Sequence, residues 1–82
     1  MDCVEVRLRE LRKERGVSQQ ALADAVGVTR QTIIAIEKGK YLPSLTLALK
    51  IAKFFNVPVE KVFVLKRECY PKAPCQRDDP NG

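Results

Sequence analysis

A compact all-helical domain of five helices is the fold this sequence predicts, and three observations predict it. The first is spacing. Between Gln19 and Ile36, Ala23 stands where a larger side chain would hold two crossing helices apart, and Gly27 stands four residues on, where the turn needs a positive φ. Ile33 and Ile36 follow at i, i+3 and pin the second helix onto the first. That order of residue types describes a helix-turn-helix. The second observation is capping: Ser18, Thr29 and Ser44 each precede a helical apolar pattern and offer a side-chain oxygen to an orphan backbone N–H. The third is length. A chain of 82 residues is one domain, which buries only about 60% or slightly more of its unfolded surface, so most of it serves a single core.

Helix one is predicted from Arg7 to Arg15, with Leu8 and Leu11 inward and Gly16 as its stop. Helices two and three follow their caps at Ser18 and Thr29. Helix four starts at Ser44, after Pro43, and runs to Phe55. Helix five opens at Pro58, whose fixed φ and missing N–H suit a first helical position. The alternating Val4-Glu5-Val6 and the β-prone Phe63-Val64-Leu65 are able to pair as an antiparallel ribbon joining the chain ends. The folded domain is expected over residues 1–69. Pro71, Pro74, Pro80 and Asp78-Asp79 give residues 70–82 the composition of a disordered tail.

Composition excludes several functions. The chain has no histidine, its only serines are the two expected caps, and it has no glycine-rich phosphate loop. Asp78-Asp79 lies in the tail, where no catalytic geometry is held. An enzyme is not expected, and neither is a cofactor. Cys3, Cys69 and Cys75 are an odd number for a disulfide framework, and without histidine they fall one ligand short of a closed zinc site. Free reduced thiols are the expectation; a Cys3–Cys69 bond requires the chain ends to meet across the ribbon. No apolar run is long enough to span a bilayer, and no signal-peptide pattern opens the chain, so a cytoplasmic location is expected. Nor does the length leave room for a separate effector-sensing domain.

Net charge of +5 means little alone, but its distribution is informative. From Thr29 to Lys53, five cations (Arg30, Lys38, Lys40, Lys50 and Lys53) face a single acid, Glu37. This basic footprint coincides with helix three and the loop after it, as expected of a helix that docks on DNA. At about 100° per residue, Ile33 and Ile36 turn inward, while Gln31, Ile34, Ala35 and Lys38 turn outward toward a major groove. Arg30, at the helix start, reaches a base or a phosphate. By geometry Arg30 suits guanine, Gln31 suits adenine, and Ile34 suits a thymine methyl.

The segments Val17-Ser18-Gln19-Gln20-Ala21-Leu22-Ala23, Gly27-Val28-Thr29-Arg30-Gln31-Thr32-Ile33 and Ile36-Glu37-Lys38-Gly39-Lys40-Tyr41-Leu42-Pro43-Ser44-Leu45 resemble the Cro/lambda-repressor-like helix-turn-helix regulators, the XRE family. The resemblance runs from about Arg7 to Phe63. It implies a lambda-repressor-like domain that binds operator DNA, with Gln19, Thr29, Lys38, Lys40 and Tyr41 clamping phosphates and Arg12 bonded to Glu37 as a strut between helices. Ala35 departs from the family, many members of which carry a polar side chain there, so one base contact is missing.

Two reading helices on a two-fold operator lie about 34 Å apart, which calls for a homodimer. On helix four, Leu45, Ala48, Leu49, Ala52 and Phe55 make an inward stripe, leaving Leu47, Ile51 and Phe54 over. A dimer interface is expected from Leu47, Phe54, Val62, Val64 and Leu65. The function expected is a transcriptional regulator, most simply a repressor, with no small-molecule effector. Its alternatives are the DNA-binding antitoxin of a toxin pair and a protein-interaction module on the same scaffold.

Overall fold

The computed structural model of the chain describes residues 3–72. Along it run β1 (Val4–Val6), α1 (Leu8–Glu14), α2 (Gln19–Val26), α3 (Arg30–Glu37), α4 (Leu45–Phe55) and β2 (Phe63–Leu65), with single 3-10 turns at Val59–Lys61 and Arg67–Cys69. All three predicted caps are made. The hydroxyl of Ser18 accepts from the Ala21 N–H at 3.0 Å, that of Thr29 from Thr32 at 3.3 Å, and that of Ser44 from Leu47 at 3.2 Å. At the turn between α2 and α3, Gly27 adopts φ 80° and donates its N–H to the Ala23 carbonyl at 2.9 Å. A Cβ there would meet no atom within 4 Å, so the left-handed conformation, and not crowding, is what calls for glycine.

Leu8, Leu22, Ala23, Ile33 and Ile36 are fully buried where α1, α2 and α3 converge, and α4 closes the core with Ile51, Ala52 and Phe55. Leu11 packs against this cluster while half-buried. The buried face of α4 differs from the expected one. Leu47, Ala48, Ile51, Ala52 and Phe55 are inward, whereas Leu45 and Leu49 are 73% and 50% exposed. The helix is rotated roughly 70° about its axis from the predicted orientation. Its sequence, LTLALKIAKFF, is apolar on nearly every side, so which stripe is buried depends on what packs against it.

The fifth helix is only the 3-10 turn Val59–Lys61. Pro58 is extended at ψ 150° and precedes the turn as its cap, and Val62 ends it. The chain then enters β2, because Phe63 pairs with Val6, Val64 with Glu5 and Leu65 with Val4 in the antiparallel ribbon. Hydrogen bonds from Arg7 N–H to the Val62 carbonyl and from Lys66 N–H to the Cys3 carbonyl, both 2.8 Å, extend the pairing at each end. The β-prone run at 62–65 thus finds strand partners that a continued helix would forfeit.

Cys3 and Cys69 form a disulfide, their Cα atoms 5.6 Å apart, and this overturns the expectation of free thiols for both. The ribbon supplies the reason. Cys3 immediately precedes Val4 of the Val4–Leu65 pair, and the turn at Arg67–Cys69 folds Cys69 back toward it. Cys75 and most of the expected tail lie outside the described residues. Among those residues, no helix is long and apolar enough to cross a membrane, and no cluster of acidic, cysteine or histidine side chains could hold a metal.

Candidate nucleic-acid interface

Two short-range devices position α3. Thr29 caps its start, and its hydroxyl also lies 3.1 Å from that of Thr32. At the other end Gly39, with φ 72°, closes the helix: its N–H bonds the Ile36 carbonyl at 3.0 Å, and the Lys40 N–H bonds the Ala35 carbonyl at 2.9 Å. This Schellman arrangement turns the chain sharply after α3 and launches the loop that carries Lys40 and Tyr41.

A part-buried polar network ties α3 to the rest of the domain. The Arg12 guanidinium, on α1, donates from Nε to Glu37 Oε2 at 2.7 Å and from Nη2 to Oε1 at 3.3 Å. Its third nitrogen, Nη1, donates to the Val17 carbonyl at 3.0 Å. The side-chain amide of Gln19, on α2, adds a bond to Glu37 Oε1 at 3.1 Å. With the two charged side chains only 11% and 5% exposed, the last residue of α3 is held simultaneously by α1 and α2. Such a planar two-point bond fixes direction as well as distance. The strut implied for Arg12 and Glu37 is therefore present, and it includes a third member.

The candidate contact residues divide by exposure. Arg30, Gln31, Lys38, Lys40 and Tyr41 are exposed, while Ile34 and Ala35 are half-buried on the same helix. Thr29 is exposed, but its hydroxyl is engaged in capping. Gln19 is half-buried, with its amide already committed to Glu37. Leu47 and Val62, expected in a dimer interface, are 8% and 0% exposed and belong to the chain's own core. Phe54 and Leu65 keep 42% and 43% exposure, and Val64 is half-buried.

Sequence reasoning missed the place of Gln19 in the network, whose signal was a polar residue at the first position of α2 facing the end of α3. Leu45 and Leu49, expected inward, are exposed one turn apart on α4, and Leu42 in the preceding loop is exposed as well. Arg15 is a second omission. Its Nη1 donates to the Phe55 carbonyl at 2.9 Å and its guanidinium lies 6.0 Å from the Phe55 ring centroid, satisfying the C-terminal end of α4.

Known proteins are similar to this chain in sequence and in fold. The chain is 56% identical over 62 residues to an uncharacterised HTH-type transcriptional regulator, YgzD, of Bacillus subtilis, a match covering 76% of this chain and 94% of the relative. A similar regulator of Methanocaldococcus jannaschii is 57% identical over 58 residues, covering 71% and 88%. Among solved structures, the restriction-modification controller protein C.AhdI of Aeromonas hydrophila superposes with a TM-score of 0.64 at 36% identity, over 67% of this chain and 83% of that one. The N-terminal DNA-binding domain of SinR from Bacillus subtilis superposes with a TM-score of 0.61 at 30% identity, over 67% and 81%. The sequence profile of the Helix-turn-helix family HTH_3 matches residues 8–62, more than half of the chain, and the protein belongs to that family.

Proposed function

We propose that the chain is a transcriptional regulator that lays α3 in the major groove of operator DNA and acts as a homodimer in the cytoplasm, most simply by blocking polymerase. The observation that carries this reading is the α3 surface. An exposed Gln31 is flanked by the exposed cations Arg30, Lys38 and Lys40, on a helix that the part-buried Glu37 network orients. Gln31 reads a base, and Arg30 reads a base or meets a phosphate. Ile34 and Ala35 add apolar contact to base methyls. Lys38, Lys40 and Tyr41 hold the phosphate backbone and set register, and the exposed Thr29 borders the same backbone. The relatives named as HTH-type transcriptional regulators and the DNA-binding domain of SinR support the assignment.

A two-fold operator requires two copies of α3, and the exposed Phe54 and Leu65, with Val64 beside them, are the apolar side chains proposed for the contact between copies. Selecting genomic fragments with the purified protein, then titrating a selected duplex and a scrambled one at several salt concentrations, tests the function. The expected result is tighter binding to the selected duplex, with affinity for both falling steeply as salt rises. Absence of salt-sensitive DNA affinity would refute the reading and leave a protein-interaction module.

A further inference from the structure

The helix-turn-helix accounts for the cations of α3 and its loop, and Glu37 accounts for Arg12, but the other charges of α1 are left unexplained. Around α1, at about 100° per residue, Arg9, Arg12 and Lys13 fall within an arc of roughly 100°, and Glu10 and Glu14 lie outside it at i, i+4. The fold puts the two arcs on different surfaces. Glu10 and Glu14 line a depression with Arg7, Arg15 and Lys61. Arg9 and Arg12 instead line a concavity of about 390 Å³ with Ser18, Gln19, Gln20 and Arg30, where the starts of α2 and α3 meet α1.

Most polar groups of this concavity are already engaged. The charge of Arg12 is neutralised by Glu37, the Gln19 amide is bonded to the same carboxylate, and the Gln20 amide donates to Asp24 Oδ1 at 2.9 Å. Arg9 and Arg30 remain at the rim, both exposed. Among the described residues the ion pairs are Arg7–Glu5 and Arg12–Glu37, and neither rim arginine takes part in one. With no acidic partner among the described residues, the two guanidiniums make the rim of this hollow positive, which suits an anion. Guanidinium also has the planar fork that fits a phosphate. Because Arg30 opens α3, the hollow adjoins the end of the proposed reading helix, beside which a docked duplex carries its backbone.

From this arrangement we infer that the DNA-binding surface extends beyond the helix-turn-helix onto α1, where Arg9 holds a backbone phosphate in the concavity it shares with Arg30. The inference rests on the proposed DNA binding. Arg9 contributes affinity and register in this role but no sequence preference.

Titration of the full-length protein and its Arg9→Ala, Arg9→Lys and Lys61→Ala variants on selected and scrambled duplexes, from 50 to 200 mM salt, tests it, with circular dichroism confirming the fold. Arg9→Ala is expected to weaken both duplexes alike and to flatten the salt slope by about 0.9 per protomer, about 1.8 for the dimer, so that the wild-type advantage of the dimer shrinks about 12-fold across that range. Arg9→Lys keeps the charge and the slope. Lys61→Ala, on the acidic side of α1, leaves both nearly unchanged. An Arg9→Ala protein with wild-type affinity and slope overturns the inference while leaving DNA binding intact, and a wild-type protein without salt-sensitive binding overturns both. Equal effects of Arg9→Ala and Lys61→Ala reduce Arg9 to general charge, and a loss confined to the selected duplex makes it a base reader; either result removes the phosphate assignment.

Discussion

Replacing Arg12 by Met tests whether the Arg12–Glu37–Gln19 network holds α3 in place. The substitution keeps an unbranched apolar stem but removes both guanidinium bonds to Glu37 and the one to the Val17 carbonyl. The Glu37 carboxylate, whose side chain is 5% exposed, would retain the Gln19 amide and lose its counter-charge. Leaving a buried charge uncompensated costs about 3 to 5 kcal/mol. The surviving Gln19 bond argues for the lower end, about 3 kcal/mol, which lowers the Tm of a domain this size by about 12 to 24 °C. Removing the whole pair is a different matter, because an apolar replacement of both partners is often neutral or better. Arg12→Met combined with Glu37→Leu should therefore recover most of the loss. Urea titration of the oxidised protein, followed by far-UV circular dichroism, measures all the corners of this double-mutant cycle. A loss under about 1 kcal/mol for Arg12→Met, with no recovery in the double variant, would place the pair among surface ion pairs and refute its structural role.

Three further outcomes are expected. Gln31→Ala should cost about 1 to 3 kcal/mol per half-site on the selected duplex and relax preference at one position of each half-site, whereas Lys40→Ala should weaken all duplexes alike and flatten the salt slope by about one per protomer; equal losses on selected and scrambled duplexes for Gln31→Ala would exclude base reading. Reduction of the Cys3–Cys69 bond opens a ring spanning a sequence separation of 66 and should lower stability by up to about 4 kcal/mol, read from urea midpoints with and without reductant; coincident midpoints would show that the bond does not constrain the unfolded chain. Phe54→Glu alters a ring that is 42% exposed and packs edge-on against Phe55 at 4.9 Å, so the protein should stay folded and sediment as a monomer with weaker operator binding. A Phe54→Glu protein that remains a tight dimer would shift the contact to the Leu45 and Leu49 stripe.

The sequence by itself determined the features governed by neighbours along the chain. Ser18, Thr29 and Ser44 could be recognised as caps because a cap bonds an N–H three residues on. Gly27 could be recognised as a turn because a left-handed residue between two helical patterns is a local requirement. Ile33 and Ile36 marked the inner face of α3 because Gln31 and Lys38 made its other face polar, giving the periodicity a direction. The Arg12–Glu37 bond, which spans 25 positions, was legible only through the family resemblance.

Tertiary structure decided what no local signal could. On α4 nearly every side is apolar, so α2 and the Val59–Lys61 turn packing against it chose Leu47 and Ile51 for the core and left Leu45 and Leu49 outside. The helix expected after Pro58 stopped after one turn because β2 found hydrogen-bonding partners in β1, more than fifty residues earlier in the chain. That pairing also brought Cys3 within bonding distance of Cys69, a proximity that composition and spacing had left open. The rim of Arg9 and Arg30 arises in the same way, since it exists only once α1 and α3 fold to either side of the start of α2. Periodicity and caps are written into a few adjacent residues, whereas the face a uniformly apolar helix buries, or the partner a strand finds, depends on surfaces contributed from elsewhere in the chain.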